Sequence, residues 1–181
     1  SNSYAAAVNA SGDVAGSSYY APMWTTSTYD RAFTYAAGQI TELGTLGAVN
    51  SKANDINDQG DVVGEADSPF LYQWRAFLYT AGAMTDLGTL GGSYAGAKGI
   101  NNLGDVVGYA STPGNESMHA FWYRDGAMQD LGTLGGVHSF AMDINENGQV
   151  VGTSQTASEG DRAFVYENGA MTALGVLDGL H

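Results

Sequence analysis

Asp86–Gly92 reads "DLGTLGG", and Asp130–Gly136 repeats it letter for letter. A near copy, "ELGTLGA", occupies Glu42–Ala48, and a degenerate one, "ALGVLDG", occupies Ala173–Gly179. Leu43, Leu87 and Leu131 stand 44 residues apart, and Leu174 follows after 43. Two further phrases keep the same beat. One is "AAAVNASGDVAG" from Ala5, "ANDINDQGDVVG" from Ala53, "AKGINNLGDVVG" from Ala97 and "AMDINENGQVVG" from Ala141. The other is "RAFTYAAGQI" from Arg31, "RAFLYTAGAM" from Arg75, "HAFWYRDGAM" from His119 and "RAFVYENGAM" from Arg162. Three phrases recurring in one order at one interval define a single repeat domain over 1–181. Its four units run approximately over 1–46, 47–90, 91–134 and 135–181.

Within a unit the pattern predicts four short antiparallel strands. In the third unit the first strand lies over Ala97 to Asn101 and the second around Asp105 to Val107. The third runs from His119 to Tyr123 and the fourth from Met128 to Leu131. Asn101-x-x-Gly104 reads as a hairpin turn whose glycine takes a positive φ. Arg124-Asp125-Gly126 reads as a three-residue turn with glycine last. No window of 11 or more residues shows a 3.6-residue apolar period, so helices are expected to be few. A four-stranded unit of this size fits a propeller blade, about 40–50 residues in known blade repeats. In that frame the Gly-Thr-Leu-Gly phrase is a turn plus a buried leucine linking successive blades. A phosphate loop would need a following helix and a lysine, and neither is present.

The two ends complement each other. The first unit lacks a leucine-glycine lead-in, whereas the chain finishes on "LGVLDGLH", a lead-in with no unit after it. The expectation is an all-β, four-bladed β-propeller closed by pairing of the N- and C-terminal segments. The competing arrangement is head-to-tail self-association, in which the tail of one copy docks on the next.

The chain carries 19 acidic and six basic residues, a formal charge of −13. That balance argues against a nucleic-acid backbone or an anionic membrane surface as partner. No apolar run reaches the roughly 18 residues of a membrane-spanning helix, so no membrane insertion is expected. The absence of cysteine removes disulfide and thiolate chemistry. Arg31, Arg75 and His119 share a repeat position, and Glu42, Asp86 and Asp130 share another 11 residues on. Cross-strand ion pairs within each blade are the expected use. The other reading is a ring of bases along a central channel. Asp55, Asp58 and Asp61 resemble a calcium loop superficially, but no bidentate glutamate follows at the required distance. No metal and no cofactor is therefore expected, calcium being the weak alternative. His119, His138 and His181 show no ligand spacing, and no catalytic centre is nominated, so the expectation is a protein that is not an enzyme.

The connection from second to third strand varies most between units, and such variable elements commonly gather on one binding face. Here the first two connections are rich in aromatics: Tyr19, Tyr20, Trp24, Tyr29, Phe70, Tyr72 and Trp74, with Tyr94 in the following link. Aromatics beside polar groups make sugar-stacking sites and protein hot spots. A glycan or a protein is the expected ligand. Glu65 and Asp67 beside them leave a glycan-active enzyme as a lesser alternative.

With "HAF" at His119–Phe121, flanked by "DLGTLGG" and "GINNLGDVVG", the chain resembles the bacterial HAF-repeat proteins over essentially its whole length. Arginine replaces histidine in the other three units, and the last leucine phrase is degenerate. The resemblance implies a secreted, extracellular bacterial protein, often part of a larger array of such units. It implies no reaction. The reading is thus an extracellular binding module, with a structural subunit of a fibre or matrix as the alternative.

Overall fold

The computed structural model describes residues 2–20, 29–69, 73–158 and 160–177. They form sixteen strands in four sheets, each a four-stranded antiparallel meander in chain order. The first blade holds β1 (Ser3–Val8), β2 (Val14–Tyr20), β3 (Tyr29–Ala36) and β4 (Gln39–Gly44). The second holds β5 (Ser51–Ile56), β6 (Val62–Asp67), β7 (Trp74–Thr80) and β8 (Ala83–Asp86). The third holds β9 (Ala95–Ile100), β10 (Val106–Ser111), β11 (Met118–Arg124) and β12 (Ala127–Asp130). The fourth holds β13 (Gly135–Ile144), β14 (Val150–Thr156), β15 (Asp161–Glu167) and β16 (Ala170–Ala173). A single 3₁₀ turn at Pro113–Asn115 is the one helical element among the described residues.

Two turns are set by residue chemistry. In the first hairpin of each blade an asparagine (Asn9, Asn57, Asn101 or Asn145) accepts two backbone amides through its side-chain oxygen, as Asn101 does from Leu103 and Asp105. The following glycine takes the left-handed conformation, at +81° in Gly104. The second hairpin corrects the three-residue expectation. Arg124 pairs with Ala127, so only Asp125 and Gly126 are in the loop. Both have positive φ, 53° and 79°, which is the type I′ geometry whose twist matches that of the flanking strands.

The cores lie between blades. One cluster joins Val63, Ala76 and Leu87 of the second blade and its link to Ala97, Ile100, Val106 and Phe121 of the third. Equivalent clusters join the first blade to the second and the third to the fourth. Each blade thus has an exit face and an entry face, and each link delivers its leucines forward. Leu43, Leu87 and Leu131 are buried in the next core, and Leu46, Leu90 and Leu134 pack against it.

Hydrogen bonds repeat at the same seams. Asn9, Asn57 and Asn101 each donate an Nδ2 hydrogen to the backbone carbonyl of the next blade's asparagine. Ser51 accepts the Ala32 amide and donates to the Gly44 carbonyl, and Ser139 does the same for Ala120 and Gly132. A second kind of restraint is steric. A Cβ on Gly16, Gly64, Gly108 or Gly152 would overlap a carbonyl oxygen of the blade's first strand, beside a bulge in that pair.

The expected pairing of the chain ends is not made by the described residues. Among the described residues no core cluster joins the fourth blade to the first; Ser1 and 178–181, on which that pairing partly falls, lie outside them. Leu174 is 46% exposed where its three counterparts are almost fully buried, and Leu177 is fully exposed.

The third blade carries an Arg124–Asp105 ion pair at its first hairpin. Arg124 donates from Nε (2.8 Å) and Nη2 (2.5 Å) to the two oxygens of the buried Asp105 carboxylate. Burial pushes that carboxyl up, but Arg124 and the Asn101 amide outweigh it and hold it below the usual carboxylate range. A depressed carboxylate adds stability above its unfolded pKa of about 3.9, lost as pH falls through the folded value. Arg124 is half exposed, which weakens the pair by screening. Arg124→Ala should cost about 1–2 kcal/mol at pH 7. In urea titrations the gap from the parent protein should shrink once the pH falls below about 4. A gap that stays constant down to acid pH would exclude the ion pair as its cause.

Candidate functional site

A cleft that gathers several of the aromatic and charged side chains lies at the seam between the second and third blades. It measures about 260 Å³ and is lined by Lys52, Glu65, Trp74, Tyr94, Tyr109 and Met118. Each side chain reaches it from a fixed strand or link position. Lys52 lies on β5, Glu65 on β6, Trp74 at the start of β7 and Tyr109 on β10. Tyr94 ends the link before β9. Its amide donates to Ser111 Oγ and its carbonyl accepts the Ser111 amide, both at 2.8 Å, so the exposed ring stands on a fixed backbone.

The polar groups in this cleft hold one another. Tyr109 donates its hydroxyl to Glu65 Oε2 at 3.0 Å, and Lys98 Nζ stands 4.0 Å from the same oxygen. Burial, then the charge and hydrogen bond of Glu65, push the Tyr109 phenol well above its ordinary value, so it remains a neutral donor. Lys52 pairs with Asp30 at 3.2 Å and lies 5.3 Å from the centre of the Trp74 ring, a cation–π arrangement. Lys98 stands similarly over Tyr109. A smaller cleft of about 210 Å³ occupies the same place between the first and second blades, lined by Tyr4, Ser17, Tyr19, Asp30, Lys52 and Asn54. Lys52 therefore belongs to both. Tyr4 and Tyr19 meet edge to face at 5.9 Å, as do Tyr109 and Phe140 at 5.5 Å.

Of the residues singled out in the sequence, Trp74 and Tyr94 share the larger cleft and Tyr19 lines the smaller. Tyr29 is half-buried and pairs with Tyr20 in the β2–β3 ladder. Tyr94 lies in the link, as expected, but Tyr19, Tyr20, Tyr29 and Trp74 are strand residues, not the loop residues expected, because the ladder runs beyond the constant phrase: Tyr20 closes β2, Tyr29 opens β3 and Trp74 opens β7. Trp24, Phe70 and Tyr72 lie outside the described residues, as does the Tyr20 side chain. Lys52, Lys98 and Tyr109 were missed. Their signal was variation inside constant phrases: the position after the second-strand glycine holds Ser17, Glu65, Tyr109 and Thr153 in turn.

The charged repeat positions lie on the third and fourth strands. Arg31 meets Glu42 at 3.5 Å, Arg75 meets Asp86 at 3.2 Å and His119 meets Asp130 at 2.8 Å. Asp86 and Asp130 also accept the amides of Gly88 and Gly132, fixing the start of the link. The three aspartates of the second unit are turned to separate partners. Asp55 takes the Ile56 and Ile100 amides, Asp58 the Ala10 amide and the Asn102 side chain, and Asp61 the Asn57 side chain. Burial raises the Asp55 carboxyl, partly offset by those two amides. Among the described residues no group of three or more His, Asp or Glu side chains converges as a metal site. Asp67 is buried and accepts the Val49 and Asn50 amides and the Asn50 side chain. That binding anchors the link, whereas Glu65 faces the cleft.

Four successive meander sheets packed face on face, with their first strands adjoining, leave one architecture. The fold is a β-propeller. Among solved structures the chain is similar to the β-propeller domain of the Trilobed protease from Pyrococcus furiosus, with TM-score 0.62 and 14% identity. That match covers 91% of this chain and 49% of that one. It is also similar to the Pyrococcus horikoshii acylaminoacyl peptidase, with TM-score 0.65 and 15% identity, over 91% of this chain and 25% of that one. The chain thus spans about half the length of the first structure and a quarter of the second. No family model and no curated protein matches the sequence. No helix among the described residues is long and apolar enough to cross a membrane.

Proposed function

We propose that this β-propeller is a binding module, and that its ligand is an extracellular glycan seated in the cleft between the second and third blades. The observation that carries the reading is the Trp74–Tyr94–Tyr109 group. It sets aromatic faces beside a carboxylate acceptor (Glu65) and ammonium donors (Lys52, Lys98) on a rigid sheet framework. Sugars offer that combination in reverse: apolar ring faces to stack, and hydroxyls that both donate and accept. The second cleft by Tyr4 and Tyr19, which shares Lys52 with the first, favours a chain of several sugar units over a single residue. The resemblance to HAF-repeat proteins supports an exported bacterial protein, and the strong negative charge supports a partner other than nucleic acid.

The test is calorimetric titration against a panel of neutral and acidic oligosaccharides. For the best ligand, Trp74→Ala and Tyr94→Ala should each weaken binding at least about tenfold, the loss of one buried stacking contact. Unaltered affinity in both variants, or no glycan bound, would remove the proposal.

A further inference from the structure

We infer that the exit face of the fourth blade and the entry face of the first are the two halves of one more seam, and that a second copy of this chain occupies each. The inference is independent of the glycan reading. Val63 and Val107 are completely buried in the cores they share with the next blade, whereas the equivalent Val151 is 42% exposed. Leu174 and Leu177 project without a receiving core. Asn145 keeps the bond to the side chain four residues on (Gln149 Oε1, 2.7 Å) that Asn57 and Asn101 also make, but among the described residues it has no following asparagine carbonyl to donate to as Asn9, Asn57 and Asn101 do. A hollow of about 290 Å³ is left beside Asp143, Asn145, Val151 and Val165.

The entry face of the first blade is complementary, residue for residue. Val8 is 66% exposed, whereas Ile56, Ile100 and Ile144 at its repeat position are buried. Phe33 is half-buried, whereas Phe77, Phe121 and Phe164 are completely buried. Beside Phe33 and Ile40 an apolar hollow of about 260 Å³ opens, with Ser3 on its rim. In the other seams the corresponding core is where the forwarded leucines pack. Ser3 also holds the repeat position of Ser51 and Ser139, which bridge to the preceding blade. Against a fourth blade it would meet the Ala163 amide and the Gly175 carbonyl. Asn145 would meet the Asn9 carbonyl, and Leu174 and Leu177 the hollow by Phe33. One bond of the series would be missing, because the Ala10 methyl cannot accept the Glu146 amide as the side-chain oxygens of Asp58, Asn102 and Glu146 accept their partners at the other seams.

The occupant is a second copy because the two faces match each other residue for residue yet do not meet within one chain among the described residues, and because the four blades cover 49% of the chain in the β-propeller-domain structure to which they are similar. Two copies related by a two-fold axis would form two identical seams and close the ring.

Size-exclusion chromatography with light scattering on the 181-residue chain tests this, from micromolar to hundreds of micromolar concentration. The expected species has twice the 18.8 kDa chain mass. An exit-face variant, Leu174→Asp with Leu177→Asp, and an entry-face variant, Val8→Asp, alter exposed residues and should keep the parent circular dichroism. Each alone should weaken dimerisation by about a hundredfold. Mixed together they should recover a dimer, since one intact seam remains between them. A parent protein that stays monomeric, or grows past the dimer, overturns the inference, as does a folded variant that dimerises like the parent.

Discussion

Asn101→Ala should be among the most destabilising single changes, lowering the unfolding free energy by about 2–4 kcal/mol. Asn101 is buried, and its side chain serves two purposes at once. The oxygen closes the β9–β10 hairpin by accepting the Leu103 and Asp105 amides. The nitrogen donates to Asp105 Oδ2 and, across the seam, to the Asn145 carbonyl at 3.1 Å. Alanine takes the acceptor from the Leu103 and Asp105 amides and removes the seam bond, while Asp105 Oδ2 keeps Arg124 and the Asn145 carbonyl keeps the Gly148 amide; unmet buried groups cost more than the bonds contribute. Asp105 would also lose one of the groups that keep it ionised. Denaturant titration reads the effect as a fall in midpoint. A loss under about 1 kcal/mol would show that the seam bond contributes nothing and that the turn forms without its asparagine.

Gly108→Ala should cost about 3 kcal/mol, through a different mechanism. The added methyl would sit on the Gly96 carbonyl oxygen and 2.9 Å from Ala97 Cα, both backbone atoms that cannot rotate away. The β9–β10 ladder would have to open at its bulge, and Phe121, buried in the same blade, would be disturbed with it. Gly104→Ala is the informative comparison. Gly104 needs its positive φ, yet nothing lies within 4 Å of its missing Cβ. It should cost only the backbone strain, about 1–2 kcal/mol. If the two variants unfold at the same denaturant concentration, steric overlap is not what requires glycine in the "DVVG" phrase.

The repeat itself was legible because each constant phrase performs one physical task in every copy. The leucine phrase fills the next core, the asparagine closes a hairpin and bridges a seam, and the second-strand glycine lets two backbones approach. These tasks depend on residue type and spacing, which a sequence displays directly. The Arg31–Glu42, Arg75–Asp86 and His119–Asp130 pairs follow from the same logic, since hairpin register makes residues 11 apart neighbours. The Arg124-Asp125-Gly126 stretch was less decisive. It suits a two- or a three-residue loop, and only the ladder pairing shows the former. The cleft was half legible. Trp74 and Tyr94 stood out by chemistry, but Lys52, Lys98 and Tyr109 are scattered over more than fifty residues. They converge only because equivalent strands of successive blades adjoin. How the ends meet was least legible, because a complementary sequence at two termini fixes the chemistry of a seam but not the curvature that brings its halves together.

The forward transfer of leucines means that the linguistic unit and the mechanical unit of this chain are out of phase. A fragment cut at the phrase boundary, 91–134, would carry Leu131 and Leu134 with nothing to cover and would lack the Leu87 and Leu90 that its own core requires. The excisable module runs instead from Leu87 to Asp130, straddling two phrases. Shuffling, duplication or splicing of blades should therefore preserve solubility only when the cuts fall just ahead of the leucine, so that every fragment keeps the lid that belongs to it.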